Sequence, residues 1–129
     1  MQRKTDTHLS RRERQIMDVV YARNQASVND VLGDLPDPPS YSSVRALMRI
    51  LEDKGQLRHK QAGLKYIYLP TKPRRQAAKA AVRNLLRTFF DDSTEKAVAA
   101  LLDVQDTKLT DNELAGLRKL IDKAGKNHR

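Results

Sequence analysis

At 129 residues the chain has room for one or two small domains and is too short for most enzymes that keep cofactor and substrate in separate domains. Only 5% of the residues are aromatic, Trp is absent and 32% are charged, which points to a helical protein with small cores of Leu, Ile, Val and Ala. The net charge of +9 implies a polyanionic partner, and the absence of cysteine excludes disulfides, thiolate metal sites and cysteine nucleophiles while remaining compatible with a reducing cytoplasm.

The first eight residues read as a loose polar arm without the apolar stretch of a secretory signal, and no later run approaches the length of a membrane span. Ser10-Arg-Arg-Glu13 has capping-box spacing, in which hydroxyl and carboxylate each satisfy a free backbone amide, and it opens a helix to about Arg23 with Ile16, Met17 and Val20 inward. Ser27 starts a shorter helix whose Val28, Val31, Leu32 and Leu35 keep the helical rhythm. Pro36-Asp-Pro-Pro39 stops it, because proline lacks the amide a helix needs.

The stretch from Ser40 to Gly55 is the most informative. Val44, Leu47, Met48 and Leu51 form an apolar stripe, while the opposite side carries Ser42, Ser43, Arg45, Ala46 and Arg49. Short hydroxyls, a small Ala and two arginines suit the inside of a DNA major groove. Gly55 falls at the position after the helix, where a left-handed backbone is favoured. Two short runs follow, broken at Ala62-Gly63, with Tyr66 and Tyr68 alternating against Lys65, Ile67 and Leu69. Three helices ending in a basic hairpin make a winged helix-turn-helix domain, and between Lys54 and Arg87 there are ten Lys or Arg and no acid. The implied activity is sequence-specific DNA binding. The competing class is a winged helix that docks other proteins, but such a surface exposes apolar anchors, whereas this one is polar.

Pro70-Thr-Lys-Pro73 marks a boundary, giving a DNA-binding domain over residues 1–73 and a helical region over 74–129. Arg74 to about Phe90 reads as a helix with Ala78, Ala81, Val82, Leu85, Leu86 and Phe89 on one stripe and Lys79, Arg83 and Arg87 opposite. Asp92-Ser-Thr-Glu95 starts a fifth helix carrying Val98, Leu101 and Leu102, and Thr110-Asp-Asn-Glu113 caps a sixth carrying Leu114, Leu117, Leu120 and Ile121. So small a region buries too little apolar surface to offset its conformational entropy; pairing with a second copy would supply the rest and is favoured over the alternative, a helical cap folded back onto the N-terminal domain of the same chain. The fold class is thus mainly α with a small β-hairpin wing. His8, His59 and His128 stand apart with no carboxylate at a ligand spacing, no phosphate-cradling glycine loop occurs, and no catalytic constellation can be assigned. No metal, cofactor or enzyme activity is expected, and His59 is read as a phosphate or solvent contact.

Ser43-Val-Arg-Ala-Leu-Met-Arg-Ile-Leu-Glu-Asp-Lys-Gly55 resembles the T-V-R-T-x-L-x-R-L-x-x-K-G pattern of the BlaI/MecI family of bacterial penicillinase repressors. Leu9 to Met17, Phe89 to Ser93 and Leu109 to Leu114 resemble that family's first and C-terminal helices, so the resemblance spans nearly the whole chain. It implies a homodimeric cytoplasmic repressor of inverted-repeat double-stranded DNA operators, with Ser43, Arg45, Ala46 and Arg49 toward bases or the nearby backbone and Arg58, Lys60 and Lys65 on phosphates. Its dimer contacts would come from Leu85, Leu86, Phe89, Val98, Leu101, Leu102, Leu114, Leu117 and Ile121. The family's usual Thr is Ala46 here, a methyl in place of a hydroxyl, which can contact thymine but cannot hydrogen-bond. The family's release by cleavage of an Asn-Phe bond in the fifth helix falls on Ala100-Leu101, two residues expected to pack as ordinary helix core. Release by another inducing signal, or by a protease of different specificity, is the corresponding expectation.

Overall fold

The computed structural model describes residues 8–105 and 108–127. All but His8 of the expected polar arm, and His128, lie outside the described residues. The elements run α1 (Arg11–Arg23), α2 (Val28–Asp34), α3 (Tyr41–Asp53), β1 (Leu57–Ala62), β2 (Lys65–Pro70), α4 (Arg74–Phe89), α5 (Thr94–Asp103) and α6 (Asp111–Asn127). By internal packing the chain divides into two compact units, the first ending at Ala81 and the second beginning at Val82.

In the first unit, each helix begins where a side chain takes over the free amides. Ser10 and Glu13 form the expected capping box on α1, and Ser27 and Asp30 form another on α2. Ser40 caps α3 by accepting from the Ser43 amide at 3.2 Å. The turn before α3 leaves Asp37 at φ 44, and the Arg12 guanidinium bridges it by donating to the Pro36 and Asp37 carbonyls, each at 3.0 Å. At the far end of α3, Gly55 takes φ 77, with its amide on the Glu52 carbonyl and the Gln56 amide on the Leu51 carbonyl. That pair of bonds is the Schellman motif, and a side chain at Gly55 would strain it.

Ile16, Val20, Val31, Val44, Met48 and Leu51 are wholly or almost wholly buried, so α1, α2 and α3 meet on their apolar stripes. Leu47, on the edge of its stripe, is only partly buried against this core. The hairpin closes the core from the remaining side. Its register pairs Leu57 with Pro70, His59 with Tyr68 and Gln61 with Tyr66, and since opposed residues share a face, these six lie on one side. Leu57 and Tyr68 on that side are buried. Arg58, Lys60, Ala62, Lys65, Ile67 and Leu69 occupy the other. Gly63 turns the strands at φ 66, a value a type II′ turn requires at its first central position. Ala26 adds a one-residue bridge to the edge of the hairpin, exchanging backbone bonds of 3.0 and 2.8 Å with Tyr68.

Three ion pairs tie the helices of this unit together, one of them Arg23 to Asp30 at 3.6 Å. Lys54 at the end of α3 reaches the Glu13 carboxylate at 3.0 Å, and Arg23 grips Asp34 with bonds of 2.7 and 3.2 Å. Burial alone would raise the Glu13 carboxyl, but the Ser10 amide and the Lys54 ammonium outweigh it and hold it below the ordinary value.

In the second unit, Ser93 caps α5 and Thr110 pairs reciprocally with Glu113 ahead of α6. None of the residues of α4, α5 or α6 is buried, and none of these helices packs closely along another. Their apolar stripes are open, with Phe89 71% and Leu101 57% exposed. The expectation that Ala100 and Leu101 pack as core is therefore corrected for the single chain: Ala100 is half-buried and Leu101 faces out.

Candidate nucleic-acid interface

The interface is built on α3. Its inward stripe seats on the core, which fixes the helix rotation and turns Ser42, Ser43, Arg45, Ala46 and Arg49 outward, all exposed. At its start the Ser40 hydroxyl lies 3.2 Å from that of Ser42 and donates to that of Ser43 at 3.0 Å. Ser42 and Ser43 are thus tied into the helix cap as well as presented to solvent, leaving lone pairs free for a further partner.

The wing stands beside this helix. A groove of about 400 Å³ opens between them, lined by Asn29 of α2, Tyr41 and Arg45 of α3, and Lys65, Tyr66 and Tyr68 of β2. Burial, then the Glu52 carboxylate, push the Tyr68 phenol up, while Arg45 and Arg49 pull it back. Lys65 also reaches α2 electrostatically. It helps, behind the Ser27 amide and hydroxyl and Arg23, to hold the Asp30 carboxyl down against the opposing effect of burial.

Arg45 and Lys65 are therefore brought together around one groove. Arg58, by contrast, lines a separate groove at the base of the hairpin with Tyr21, Lys72 and Arg74. Lys60 shares the hairpin face of Arg58 and Lys65 and is exposed. His59 is exposed, its Nδ1 meets Glu52 Oε2 at 2.7 Å, and its ring stacks on Tyr66 with centroids 4.2 Å apart. Tyr41, Asn29 and Leu64 also border the first groove, and of these Asn29 and Leu64 were not read from the sequence as site residues. Leu64 is wholly exposed at the wing tip, and only its place beside Gly63 in the turn hinted at it.

The residues proposed for pairing lie on the second unit. Leu85, Phe89, Val98, Leu101, Leu102, Leu117 and Ile121 are exposed, while Leu86 and Leu114 are half-buried. No helix among the described residues is long and apolar enough to cross a membrane, and no cluster of three or more metal-ligating side chains occurs among them.

Three helices closed by a hairpin define a winged helix-turn-helix protein with a helical extension. The penicillinase repressor family matches residues 9–123, nearly the whole chain, and the chain belongs to that family. It is accordingly a DNA-binding transcriptional repressor and not an enzyme. No curated protein matches it. Among solved structures it is similar to BpsR of Bordetella bronchiseptica, whose structure concerns the mechanism for regulation of DNA binding by 6-hydroxynicotinic acid. Identity is 15% and the TM-score 0.49, over 95% of this chain and 78% of that one.

Proposed function

We propose that the chain is a homodimeric repressor that occupies an inverted-repeat operator, each copy laying α3 in a major groove and its wing along the adjoining backbone. The observation that carries this reading is the division of α3, with Val44, Met48 and Leu51 fully buried and Ser42, Ser43, Arg45, Ala46 and Arg49 all exposed. Arginines reach guanine edges bidentately, and the methyl of Ala46 suits a thymine methyl. Lys60 and Lys65 take phosphates, which give affinity and register without sequence information. Arg58 would hold backbone from the base of the wing.

Pairing follows from the open apolar stripes of α4, α5 and α6. Residues 74–129 form the dimerisation region and residues 1–73 the reader. Two-fold pairing explains the inverted repeat, since half-site symmetry mirrors protein symmetry. Such a repressor works beside the chromosome in the cytoplasm. Selection of genomic fragments with the purified protein tests the reading: recovered fragments should share two inverted half-sites about one helical turn, or a multiple of it, apart. A single unrepeated motif would contradict the dimeric arrangement, and recovery without any shared motif would contradict base reading.

A further inference from the structure

Beside the reader surface, the base of the wing carries a second group of cations. Arg58, Lys72 and Arg74 surround a groove of about 280 Å³ walled by Tyr21, Asn24 and Leu69. On α4, Arg75 and Lys79 follow one turn apart and are exposed, on neighbouring positions of the same flank. None of these five side chains forms an ion pair among the described residues, where the pairs instead join Arg23, Lys54, His59 and Lys96 to acids.

Solvation alone does not account for this pattern. The exposed faces of α1 and α6 mix both signs, whereas α4 contains no Asp or Glu along its whole length. A single-sign helix adjoining a single-sign groove repels itself unless an anion neutralises it. All five cations are exposed, and Arg75 and Lys79 continue along α4 beyond the three that line the groove. That distribution suits successive phosphates of a polymer better than one small anion.

Resting on the reading of the chain as a DNA-binding repressor, we propose that Arg58, Lys72, Arg74, Arg75 and Lys79 form a second backbone-binding surface. It holds DNA phosphates flanking those gripped beside α3, in a groove separate from the one that Arg45 and Lys65 share. The surface adds affinity and salt dependence but no base reading.

The test uses the full chain and a labelled random-sequence duplex several helical turns long, with affinity followed across a range of salt. Each phosphate contact contributes about 0.9 to the slope of log K against log salt, so Lys72→Gln/Arg74→Gln/Arg75→Gln should flatten it by roughly 2 to 3 units. Arg74→Lys/Arg75→Lys, which keeps the charge, should stay near the original slope. If the neutral triple variant does not fold, Arg75→Gln alone carries the test, with a loss of about 0.9. An unchanged slope in a neutral variant, on a duplex that the original protein binds, overturns the second surface and leaves the reader intact. Absence of salt-dependent binding to any duplex by the original protein overturns both. An unchanged slope with lost retention on an immobilised acidic peptide assigns the surface to an acidic protein and likewise overturns the proposal.

Discussion

Glu52 in the last turn of α3 and His59 in the first strand of the wing meet at 2.7 Å, Oε2 to Nδ1, and the imidazole stacks on one face against Tyr66. The contact joins the helix proposed to read bases to the hairpin proposed to hold backbone. Both side chains are about one-third exposed, at 30% and 32%, so solvent screens the pair and its contribution is modest. A double-mutant cycle with Glu52→Ala and His59→Ala should give a coupling of about 0.2 to 1 kcal/mol in denaturant unfolding. Strict additivity of the two substitutions would show that the contact carries no free energy.

Glu13 should govern the acid side of the stability profile. Its carboxyl is held low in the folded state even though burial opposes this, because the Ser10 amide and Lys54 stabilise its charge. A depressed carboxyl contributes fully above its ordinary value, and that contribution fades as pH falls through the lower folded value. Glu13→Gln should therefore cost about 1 to 3 kcal/mol at neutral pH, with the gap to the original protein narrowing in acid. Urea midpoints measured across pH would check this, and a gap that widens on acidification would contradict it.

Much of the fold was legible because it is encoded locally. The Ser10 and Glu13 capping box, the left-handed Gly55 and the prolines before α3 are all signals within a few residues, and each element they bound is present. The cap of Ser40 on the Ser43 amide has an equally readable spacing, but the neighbouring prolines already account for the break there. What stayed hidden depends on register between distant segments. The Ala26 bridge to Tyr68 spans more than forty positions and has no local pattern. The pairing of Glu52 with His59 requires both the hairpin register and its seat on α3, and the same geometry draws Arg58 into a different groove from Lys65. Which residues carry the proposed interface was therefore readable as a list, but its division into two grooves was not.

The open stripe along α4, α5 and α6 predicts self-association. Full-length protein should sediment as a dimer at micromolar concentration, while a chain ending at Pro73 should sediment as a monomer and bind its operator far more weakly, because the second contact is no longer intramolecular and Arg74, Arg75 and Lys79 are lost with it. A stable dimer of the shortened chain would contradict the assignment of pairing to residues 74–129.

Release from DNA should differ from the cleavage implied by the family resemblance. Ala100 and Leu101 lie within α5, which holds their backbone in helix, and they lack the polar-aromatic pair of the family's cleaved bond. Leu101 is 57% exposed in the single chain, so protection in the cell would depend on cover by a second copy. Mass spectrometry on cells exposed to a β-lactam should find the chain intact. Fragments ending at Ala100 would contradict this.

Base reading by α3 and backbone holding by the wing should separate when affinities for the selected operator and for random DNA are compared. Arg45→Ala or Arg49→Ala should cut discrimination between the two by about 1 to 3 kcal/mol if the arginine makes a bidentate base contact. Lys60→Ala should weaken both alike and reduce the salt slope by about one unit. Equal losses on both DNAs for all three variants would contradict the proposed reader face.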